Sequence, residues 1–397
     1  MTNKSLEKKV LNLIHSEEII QLAKELIAFP TENPPANYTE ISKFIQAQYM
    51  ELGLEVKVVS GESGKTNICA RWQGDGSSKE VLLCSGHQDV VPAGEGWKYD
   101  PFVATIEGNN LIGRGTNDVK GTLAAQMIAV KALKAAGADL KGSLYLFSTV
   151  DDETAGTMGL KYVINEGWEQ LGWAKPTFHI LGDPTNLDVF IAFKGRMWVK
   201  IILEGRSAHG GNPAAGINAI EKMTHLIEEI LKYERQSHPI MGIDTINIGT
   251  IQGGEKTNIV PSQCTMTVDY RFVTPQTSED IVQRLMTTIR SLEATDPEFK
   301  LKEFTIFERR DPRNVEPDNP FVQSLKSVTE EITLNPSNLG GFLSAGDAYH
   351  TMSKGIPAVV YGAGSISDAH TNKEFVPLDE LVASSKILAL YALRTLG

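Results

Sequence analysis

Cysteine is scarce in this chain of 397 residues, and its pattern excludes two kinds of cysteine-based scaffold. The three cysteines, Cys69, Cys84 and Cys264, are odd in number and widely spaced. They therefore provide neither a disulfide framework nor a CxxC zinc site. Cys84 lies in an apolar run, where we expect an inert core thiol.

Positive charge and long apolar runs are also lacking. Lys and Arg number 38 against 49 Asp and Glu, a formal net charge of −11. This balance argues against nucleic acid or an anionic membrane as a partner, and it suits a site that collects cations. The opening stretch, "MTNKSLEKKVLNLIHSEE", has no long apolar segment. We therefore expect no signal peptide, no membrane span and a cytoplasmic location.

The apolar runs predict an α/β fold. Short, nearly continuous apolar runs alternate with helical stretches such as "TLAAQMIAVKALKAAG", which is typical of a largely parallel central sheet with flanking helices. Helices are expected over about 4–28, 37–53 and 377–395, the first ending at the prolines of "FPTENPP". The predicted strands are "LEVKVVS", "TNICARW", "EVLLCSG", "SLYLFSTV", "TFHILG" and "IPAVVYG".

The middle of the chain has a different pattern, and the length favours two domains. We predict a catalytic domain formed by residues 1–194 and 312–397, interrupted by a smaller α+β domain at 195–311. In the insert, the strands "RMWVKIILEG", "INIGTIQGG" and "SQCTMTVDYRFV" accompany the helices "NAIEKMTHLIEEILKYERQ" and "EDIVQRLMTTIRSLEA". The sequence shows no internal repeat.

Histidines and carboxylates follow the predicted strands of the first domain. Ligands of open α/β sheets bind beyond the carboxyl ends of the strands, so we expect these side chains to meet at one edge. One further carboxylate, Asp118, stands at the start of a helix. The residues that follow strands are His87, Asp89, Asp151, Asp152, Glu153, Asp183 and His370.

Taken singly, each of these residues has an ordinary structural explanation. Asp118 could cap a helix, Asp183 before Pro184 could open a turn, and a lone histidine is more often structural than a ligand. Their shared position is harder to explain, because crowded carboxylates are costly unless cations neutralise them. Histidines and carboxylates without a thiolate suit zinc, cobalt or manganese.

The string "GHQDVVPAGEGWKYDPF", followed by "GRGTNDVKGTLAA", "DDETAGTMG" and "GDPTN", resembles a family of di-zinc amidohydrolases. This family includes acetylornithine deacetylase, succinyl-diaminopimelate desuccinylase, aminoacylase and glutamate carboxypeptidase. "GRSAHGGNPAAGINAI" and "HTNKEF" extend the resemblance over nearly the whole chain, with the insert where the family has its lid or dimerisation domain. The resemblance implies two divalent ions, zinc with cobalt or manganese as alternatives, about 3.5–4 Å apart.

The resemblance also implies which residues hold these ions. Asp118 would bridge both ions. His87 and Asp183 would complete one ion, and Glu153 and His370 would complete the other. The family's usual residue at position 183 is Glu, so the chain departs from it there.

The acidic triplet departs from the family's usual Asp-Glu-Glu, in which the first Glu is the general base and the second a metal ligand. Aligned through "GTMG", the chain has Asp152 at the base position and Glu153 at the ligand position. A shift by one residue would make Glu153 the base but place Thr154, a poor ligand, on the metal, so we prefer the first alignment. Asp is one methylene shorter than Glu, and proton transfer requires about 2.6–3.2 Å. Asp151 is expected to be a loop acid outside the ligand set.

Further residues receive roles by resemblance alone. Asp89 would orient the imidazole of the histidine two residues before it. His209, in "RSAHGGNP", matches a histidine that reaches across a dimer interface and assists the oxyanion. Asn258 and Arg271 match residues near the substrate's carboxylate, which an arginine can bind with two hydrogen bonds. Gly346 belongs to a glycine-rich loop that resembles the family's substrate loop.

The activity implied is hydrolysis of the amide bond of an N-acyl amino acid by a homodimer. Asp152 would accept a proton from the attacking water and return it to the leaving amine. Many relatives have Arg where this chain has Tyr349, which disfavours a succinyl substrate. The alternatives are a di- or carboxypeptidase of the same family, acting on short peptides, and a catalytically impaired relative that binds metal or ligand.

Overall fold

A computed structural model describes residues 3–62, 64–154, 156–342 and 346–397. The chain divides into two compact units. The first contains Met1–Ile191, Val315–Gly340 and Asp347–Gly397, and the second contains Ala192–Asn314 and Gly341–Gly346. The catalytic and lid roles assigned to the two domains stay predictions.

The first unit begins with helices and a strand pair that lead into its sheet. Its elements before the second unit are α1 (Asn3–Asn12), α2 (Ser16–Ile27), α3 (Thr39–Glu51), β1 (Glu55–Glu62), β2 (Lys65–Trp72), β3 (Val81–His87), β4 (Thr105–Glu107), β5 (Asn110–Ile112), α4 (Lys120–Ala136), β6 (Ser143–Thr149), α5 (Leu160–Tyr162), a π-helical turn (Val163–Gly167), α6 (Trp168–Leu171), β7 (Phe178–Leu181) and β8 (Val189–Phe193).

The single helix expected over about 4–28 is two helices. The backbone of His15 is extended, with φ −105° and ψ 133°, which ends the helical path. Ser16 then begins α2, with Glu17 and Glu18 in its first turn, where the helix dipole favours acidic side chains. The apolar spacing is similar on both sides of this break, so the spacing alone did not reveal it.

The second unit is an antiparallel sheet covered by helices. Its elements are β9 (Gly195–Glu204), a 3₁₀ turn (Pro213–Ala215), α7 (Ala219–Leu231), β10 (Ser237–His238), β11 (Gly242–Ile243), β12 (Thr245–Gly253), β13 (Gln263–Phe272), α8 (Ser278–Thr295), β14 (Lys300–Arg310) and β15 (Arg313–Asn314). Four strands pair in the order β12-β13-β9-β14. Alternate residues of β13, from Cys264 to Phe272, are buried with apolar residues of α7 and α8, as a half-covered sheet requires.

The chain then completes the first unit. The remaining elements are α9 (Pro320–Thr333), β16 (Leu339–Phe342), α10 (Ala348–Met352), β17 (Ala358–Val360), β18 (Phe375–Pro377) and α11 (Leu378–Leu396). The strand β14 and the helix α9 are the longest of the elements that were not predicted from the sequence.

The central sheet of the first unit confirms the predicted α/β class. Its strands run in the order β1-β2-β6-β3-β7-β17-β8. β6, β3, β7 and β17 pair in parallel, and the flanking pairs are antiparallel. Every residue of β3 is buried, which explains its continuous apolar run. Because the four inner strands are parallel, the loops that follow them emerge at one edge of the sheet.

Candidate metal centre

The predicted polar residues of the first unit gather at this carboxyl edge. β3 ends at His87, and Asp183 lies two residues beyond the end of β7. Asp118 lies two residues before the first residue of α4, and His370 follows β17 after a loop. The first unit therefore brings together residues that are far apart in the chain.

Asp118 stands between two groups of donors. Its Oδ1 lies 3.0 Å from Nε2 of His87, and its Oδ2 lies 3.2 Å from Nε2 of His370. Asp183 Oδ1 lies 3.9 Å from the same nitrogen of His87, and Glu153 Oε2 lies 3.1 Å from the same nitrogen of His370. The two carboxylate oxygens of Asp118 thus face different pairs of side chains.

The spacing of these donors fits metal ligation. Ligand atoms of His87, Asp118 and Glu153 all lie within 4.8 Å of one another. Two ligands on a tetrahedral zinc, each about 2.0–2.1 Å from the ion, stand about 3.3 Å apart. The nitrogen–oxygen separations of 3.0–3.2 Å around Asp118 are close to that value. Imidazole and carboxylate donors without a thiolate suit zinc, cobalt or manganese.

The charges of the site also favour a cation. Burial, with the Asp118 carboxylate adding to it, raises the pKa of Asp183 to about 7. The same two causes raise the pKa of Glu153. Hydrogen bonds to Asp118 and Glu153 raise the pKa of His370 to about 10. Carboxylates are therefore crowded here beyond what the imidazoles can neutralise, which is the electrostatic setting that a divalent ion relieves.

Asp89 holds the acidic loop more directly than it holds the imidazole. Nδ1 of His87 lies 2.9 Å from the backbone oxygen of Asp89, whereas the Asp89 carboxylate is 3.7 Å away. A proton on Nδ1 donated to that backbone oxygen leaves Nε2 free to bind a metal. The carboxylate accepts hydrogen bonds from the backbone N–H groups of Asp152 and Glu153 at 3.3 and 3.1 Å, and from the amide of Asn33 at 2.9 Å.

Asp151 organises the loop that follows β6. Its carboxylate accepts hydrogen bonds from the hydroxyls of Thr154 and Thr157 at 3.0 and 3.2 Å and from the Met158 backbone at 3.2 Å. Lys65 pairs with it at 3.2 Å. Its φ of +65° lies in the left-handed region, which this dense set of contacts supports. The Asp151 carboxylate is thus held by residues of its own loop and by Lys65.

The environment of Asp152 disfavours the ionised form of its carboxyl group. Burial, with the Asp347 carboxylate adding to it, raises the pKa of Asp152 well above its usual range. Asp347 is itself buried, and a Cβ placed on Gly156 would lie 3.1 Å from its Oδ1. Asp347 therefore packs against the acidic loop, a contact that the sequence did not reveal.

The second unit carries the other predicted residues. His209 is exposed, its Nδ1 accepts a hydrogen bond from the Gly211 N–H at 3.0 Å, and it forms a β-bridge with Ile259. This bridge places the loop of His209 beside that of Asn258, whose backbone oxygen accepts the Gly210 N–H at 2.8 Å.

Arg271 and Gly346 were both expected to contact substrate. The guanidinium of Arg271 makes two hydrogen bonds with Asp269 on the same strand, at 2.7 and 3.0 Å. An anionic substrate would have to compete with that carboxylate. Gly346 adjoins residues 343–345, which lie outside the described part of the chain. The substrate-binding roles of both residues stay predictions.

Several residues of the site were missed by sequence reasoning. Asn33 lies in "FPTENPP", which was interpreted only as a helix stop, yet its amide reaches Asp89. Glu374 lies in "HTNKEF" and binds the backbone at Asp118. Both contacts join segments distant in sequence, so neither has a local signal.

Comparison with known proteins identifies the family. The profile of Peptidase family M20/M25/M40 matches residues 83–394, and the chain belongs to this family. The predicted family and the hydrolytic class of enzyme are therefore confirmed. In the described ranges, no helix combines the length and apolar character needed to cross a bilayer.

Two curated relatives cover nearly the whole chain. N-formyl-4-amino-5-aminomethyl-2-methylpyrimidine deformylase of Bacillus subtilis (strain 168) is 31% identical over 409 residues, covering 97% of this chain and 95% of the relative. Acetylornithine deacetylase of Pectobacterium carotovorum subsp. carotovorum (strain PC1) is 31% identical over 376 residues, covering 90% and 92%. Both relatives are named for removal of a small acyl group.

Solved structures share the fold at lower identity. Aminopeptidase PepT from Bacillus cereus ATCC 10987 superposes with a TM-score of 0.79 at 21% identity, over 96% of this chain and 100% of that one. A Bacillus subtilis protein described as a dinuclear metal-binding peptidase of the M20 family has a TM-score of 0.72 at 16% identity, over 99% of both chains.

Proposed function

We propose that the protein is a deacylase that uses two divalent ions to hydrolyse the amide bond of an N-acyl amino acid or a related N-acyl amine. The observation that carries this proposal is the position of Asp118, whose two oxygens face His87 at 3.0 Å and His370 at 3.2 Å. With Asp183 on the first side and Glu153 on the second, each ion would have an imidazole, a carboxylate and one oxygen of Asp118.

The ions would polarise the amide carbonyl and make water a nucleophile at neutral pH. Zinc is the first candidate, and cobalt and manganese suit the same donors. Among the family's structures, a dinuclear metal-binding peptidase supports the count of two. Four of these five side chains match the family's usual ligands, and Asp183 keeps a carboxylate where the family usually has Glu, which supports their assignment.

Asp152 is proposed as the general base. Its raised pKa suits a group that takes a proton from water and delivers it to the leaving amine, because efficient proton transfer needs a pKa near the working pH. Asp89 would keep the base in place, since its carboxylate binds the backbone N–H of Asp152.

The residues of the second unit are proposed to act on substrate. His209 would donate a hydrogen bond to the oxyanion of the transition state, supplied from the neighbouring subunit of a homodimer. Asn258 and Arg271 would contact the substrate's carboxylate, with Arg271 exchanging Asp269 for it. Gly346 would belong to the loop that borders the substrate.

The acyl group is proposed to be small. The relatives named above release a formyl or an acetyl group from an amine, and Tyr349 stands where many relatives have an arginine. A second candidate is a peptidase, favoured by the solved structures of the same fold, which include an aminopeptidase and a dinuclear metal-binding peptidase. The cytoplasmic location expected from the sequence stays a prediction.

A metal and substrate assay on one preparation tests the proposal. Elemental analysis should find two divalent ions per chain, and a chelator should abolish activity that added zinc restores. A panel of N-formyl, N-acetyl and N-succinyl forms of one amino acid, with matched dipeptides, should show faster release of formyl or acetyl than of succinyl. Faster cleavage of the dipeptides would favour the peptidase, and active protein free of metal would refute the metal mechanism.

A further inference from the structure

A buried carboxylate outside the proposed ligand set binds the backbone that carries Asp118. Glu374 is 0% exposed. Its Oε1 accepts hydrogen bonds from the N–H groups of Gly115, Asn117 and Asp118 at 2.9, 3.1 and 3.1 Å. Its Oε2 accepts a hydrogen bond from the guanidinium of Arg114. Both oxygens therefore act as acceptors only, which uses the ionised form of the side chain.

The same segment carries His370, four positions before Glu374. The Gly113 N–H donates to the backbone oxygen of Glu374 at 3.2 Å, and β18 then pairs antiparallel with β5, Phe375 lying opposite Ile112. Residues 110–118 and 374–377 are thus joined through side-chain and backbone contacts together. Asp118 ends the first of these segments, and His370 lies four positions before the second begins.

Arg114 is buried and has contacts besides the one with Glu374. It is 2% exposed, its Nη2 lies 3.4 Å from the backbone oxygens of Pro92 and Ala93, and its guanidinium lies 5.2 Å from the centre of the Trp97 ring. A buried ion pair is costly to break, because removing either partner leaves the other charge buried and uncompensated. The pair therefore resists displacement of the Asp118 loop.

We propose that Glu374, held by Arg114, is a positioning residue that sets the separation between Asp118 and His370. This inference rests on the proposed function. By positioning these ligands, Glu374 would raise the affinity for the ion that Asp118, His370 and Glu153 would share. The other ion would depend on it less, because His87 and Asp183 follow β3 and β7 and neither has a described hydrogen bond with Glu374.

Glu374→Gln is the variant that tests this role. All the partners of the Glu374 carboxylate are hydrogen-bond donors, and glutamine replaces one of its acceptor oxygens by an NH₂ group, which is also a donor. This NH₂ group would face either Arg114 or the backbone N–H groups without an acceptor. We expect the affinity for the ion that Asp118, His370 and Glu153 would share to fall about 10–100-fold, the range typical of losing a group that orients a ligand. The affinity for the other ion should change several-fold less. Activity should recover at raised zinc concentration, since occupancy would limit it.

Arg394→Gln is the matched control for stability. Arg394 makes four hydrogen bonds with Glu7 and Glu331, in a part of the first unit that none of the proposed ligands occupies. Its loss should lower the Tm of the metal-free protein and leave both metal affinities at their wild-type values. Arg114→Lys keeps the positive charge and the Glu374 carboxylate, so it serves if Glu374→Gln does not fold, with a smaller loss of affinity in the same direction.

The experiment is a titration of chelator-stripped wild-type and variant chains with Zn²⁺ against a chromogenic chelator, together with the Tm of each metal-free protein. A selective loss of one zinc affinity in Glu374→Gln, with both affinities intact in Arg394→Gln, supports the positioning role. Wild-type affinities in a folded Glu374→Gln, or equal losses in Arg394→Gln, would overturn it while the proposed function stands. A wild-type chain that binds no zinc would refute the proposed function itself, and this inference with it.

Discussion

Charged side chains are arranged differently on the sheet of the second unit and at the carboxyl edge of the first. On the sheet of the second unit, cations and carboxylates are paired with one another. The pairs are Arg271 with Asp269, Lys200 with Glu303, and Arg196 and Arg310 with Glu308. At the carboxyl edge of the first unit, the carboxylates face one another and two imidazoles. The carboxylates there are Asp118, Asp152, Glu153 and Asp183.

Charges of the first kind balance one another within the protein, whereas the carboxylates of the second kind need a bound cation to balance them. A carboxylate that is paired with a cation has its charge balanced and requires no further partner. Crowded carboxylates, three of which (Asp152, Glu153 and Asp183) have raised pKa values, are unfavourable by themselves, and this is the setting that a bound cation relieves. Substitutions in the two regions should therefore have different consequences, and the following four test that expectation.

The largest effect is expected for Asp118→Ala. This change removes the carboxylate that would bind both ions, so the chain should lose both metals. Activity should fall by at least about 100-fold, which is the largest loss typical of removing a group that only orients a ligand. Glu303→Ala is the control, because it removes a carboxylate paired with Lys200 in the second unit. Elemental analysis and kcat/KM measure both variants. Two ions retained in Asp118→Ala would contradict the assignment of the bridge.

Asp152→Asn should reduce turnover about 10²–10⁴-fold, the usual contribution of a general acid or base, and leave the metal content nearly intact. Asp152→Glu restores the family's usual length and should be tolerated or faster. Single-turnover rates with measured metal content distinguish the two variants. Full activity in Asp152→Asn would transfer the role of base to Glu153 and reverse the preferred alignment of the acidic triplet.

His209→Ala should cost roughly 10²–10³ in kcat, as expected for losing one oxyanion donor, with no loss of metal. The role in trans is tested by mixing His209→Ala chains with Asp118→Ala chains. A mixed dimer would contain one site with intact metal ligands and an intact histidine from its neighbour. Recovered activity supports supply from the neighbouring subunit. Mixed dimers that form without recovery would mean that His209 acts in its own chain or has no catalytic role.

The smallest effect is expected for Thr277→Ala in the second unit. The Thr277 hydroxyl accepts the Asp280 N–H, and the Asp280 carboxylate accepts the Thr277 N–H, which together cap α8. Loss of such a cap costs about 1 kcal/mol in the free energy of unfolding. Urea denaturation should show this loss with metal content unchanged. A changed metal content would contradict the expectation that this cap affects stability alone.

Much of the site was predictable because the fold is regular. Each expected ligand follows a buried apolar run or opens a helix, and parallel strands deliver such positions to one edge. His87 and Asp183 show this most simply, since β3 ends at the first and β7 ends two residues before the second. The family resemblance then assigned roles that the position alone left open.

The supporting contacts could not be predicted in this way. Lys65 reaches Asp151 from a β-strand, and Glu374 reaches Asp118 across 256 positions. Such pairs depend on tertiary packing and leave no periodic trace in the sequence. Asp89 illustrates the same limit, because the resemblance connected its carboxylate with the imidazole of His87, whereas the backbone oxygen makes that hydrogen bond.

The order of the ligands along the chain has a consequence for assembly. His87, Asp118, Glu153 and Asp183 are all synthesised before the second unit, and His370 follows Asp183 by 187 positions. At about 5–20 residues per second, a ribosome needs roughly 10–40 s to cover that distance. During this interval the growing chain would have all the donors proposed for one ion but only part of the set proposed for the other. The two halves of the proposed centre would therefore be completed at different times as the protein is made, with His370 added last.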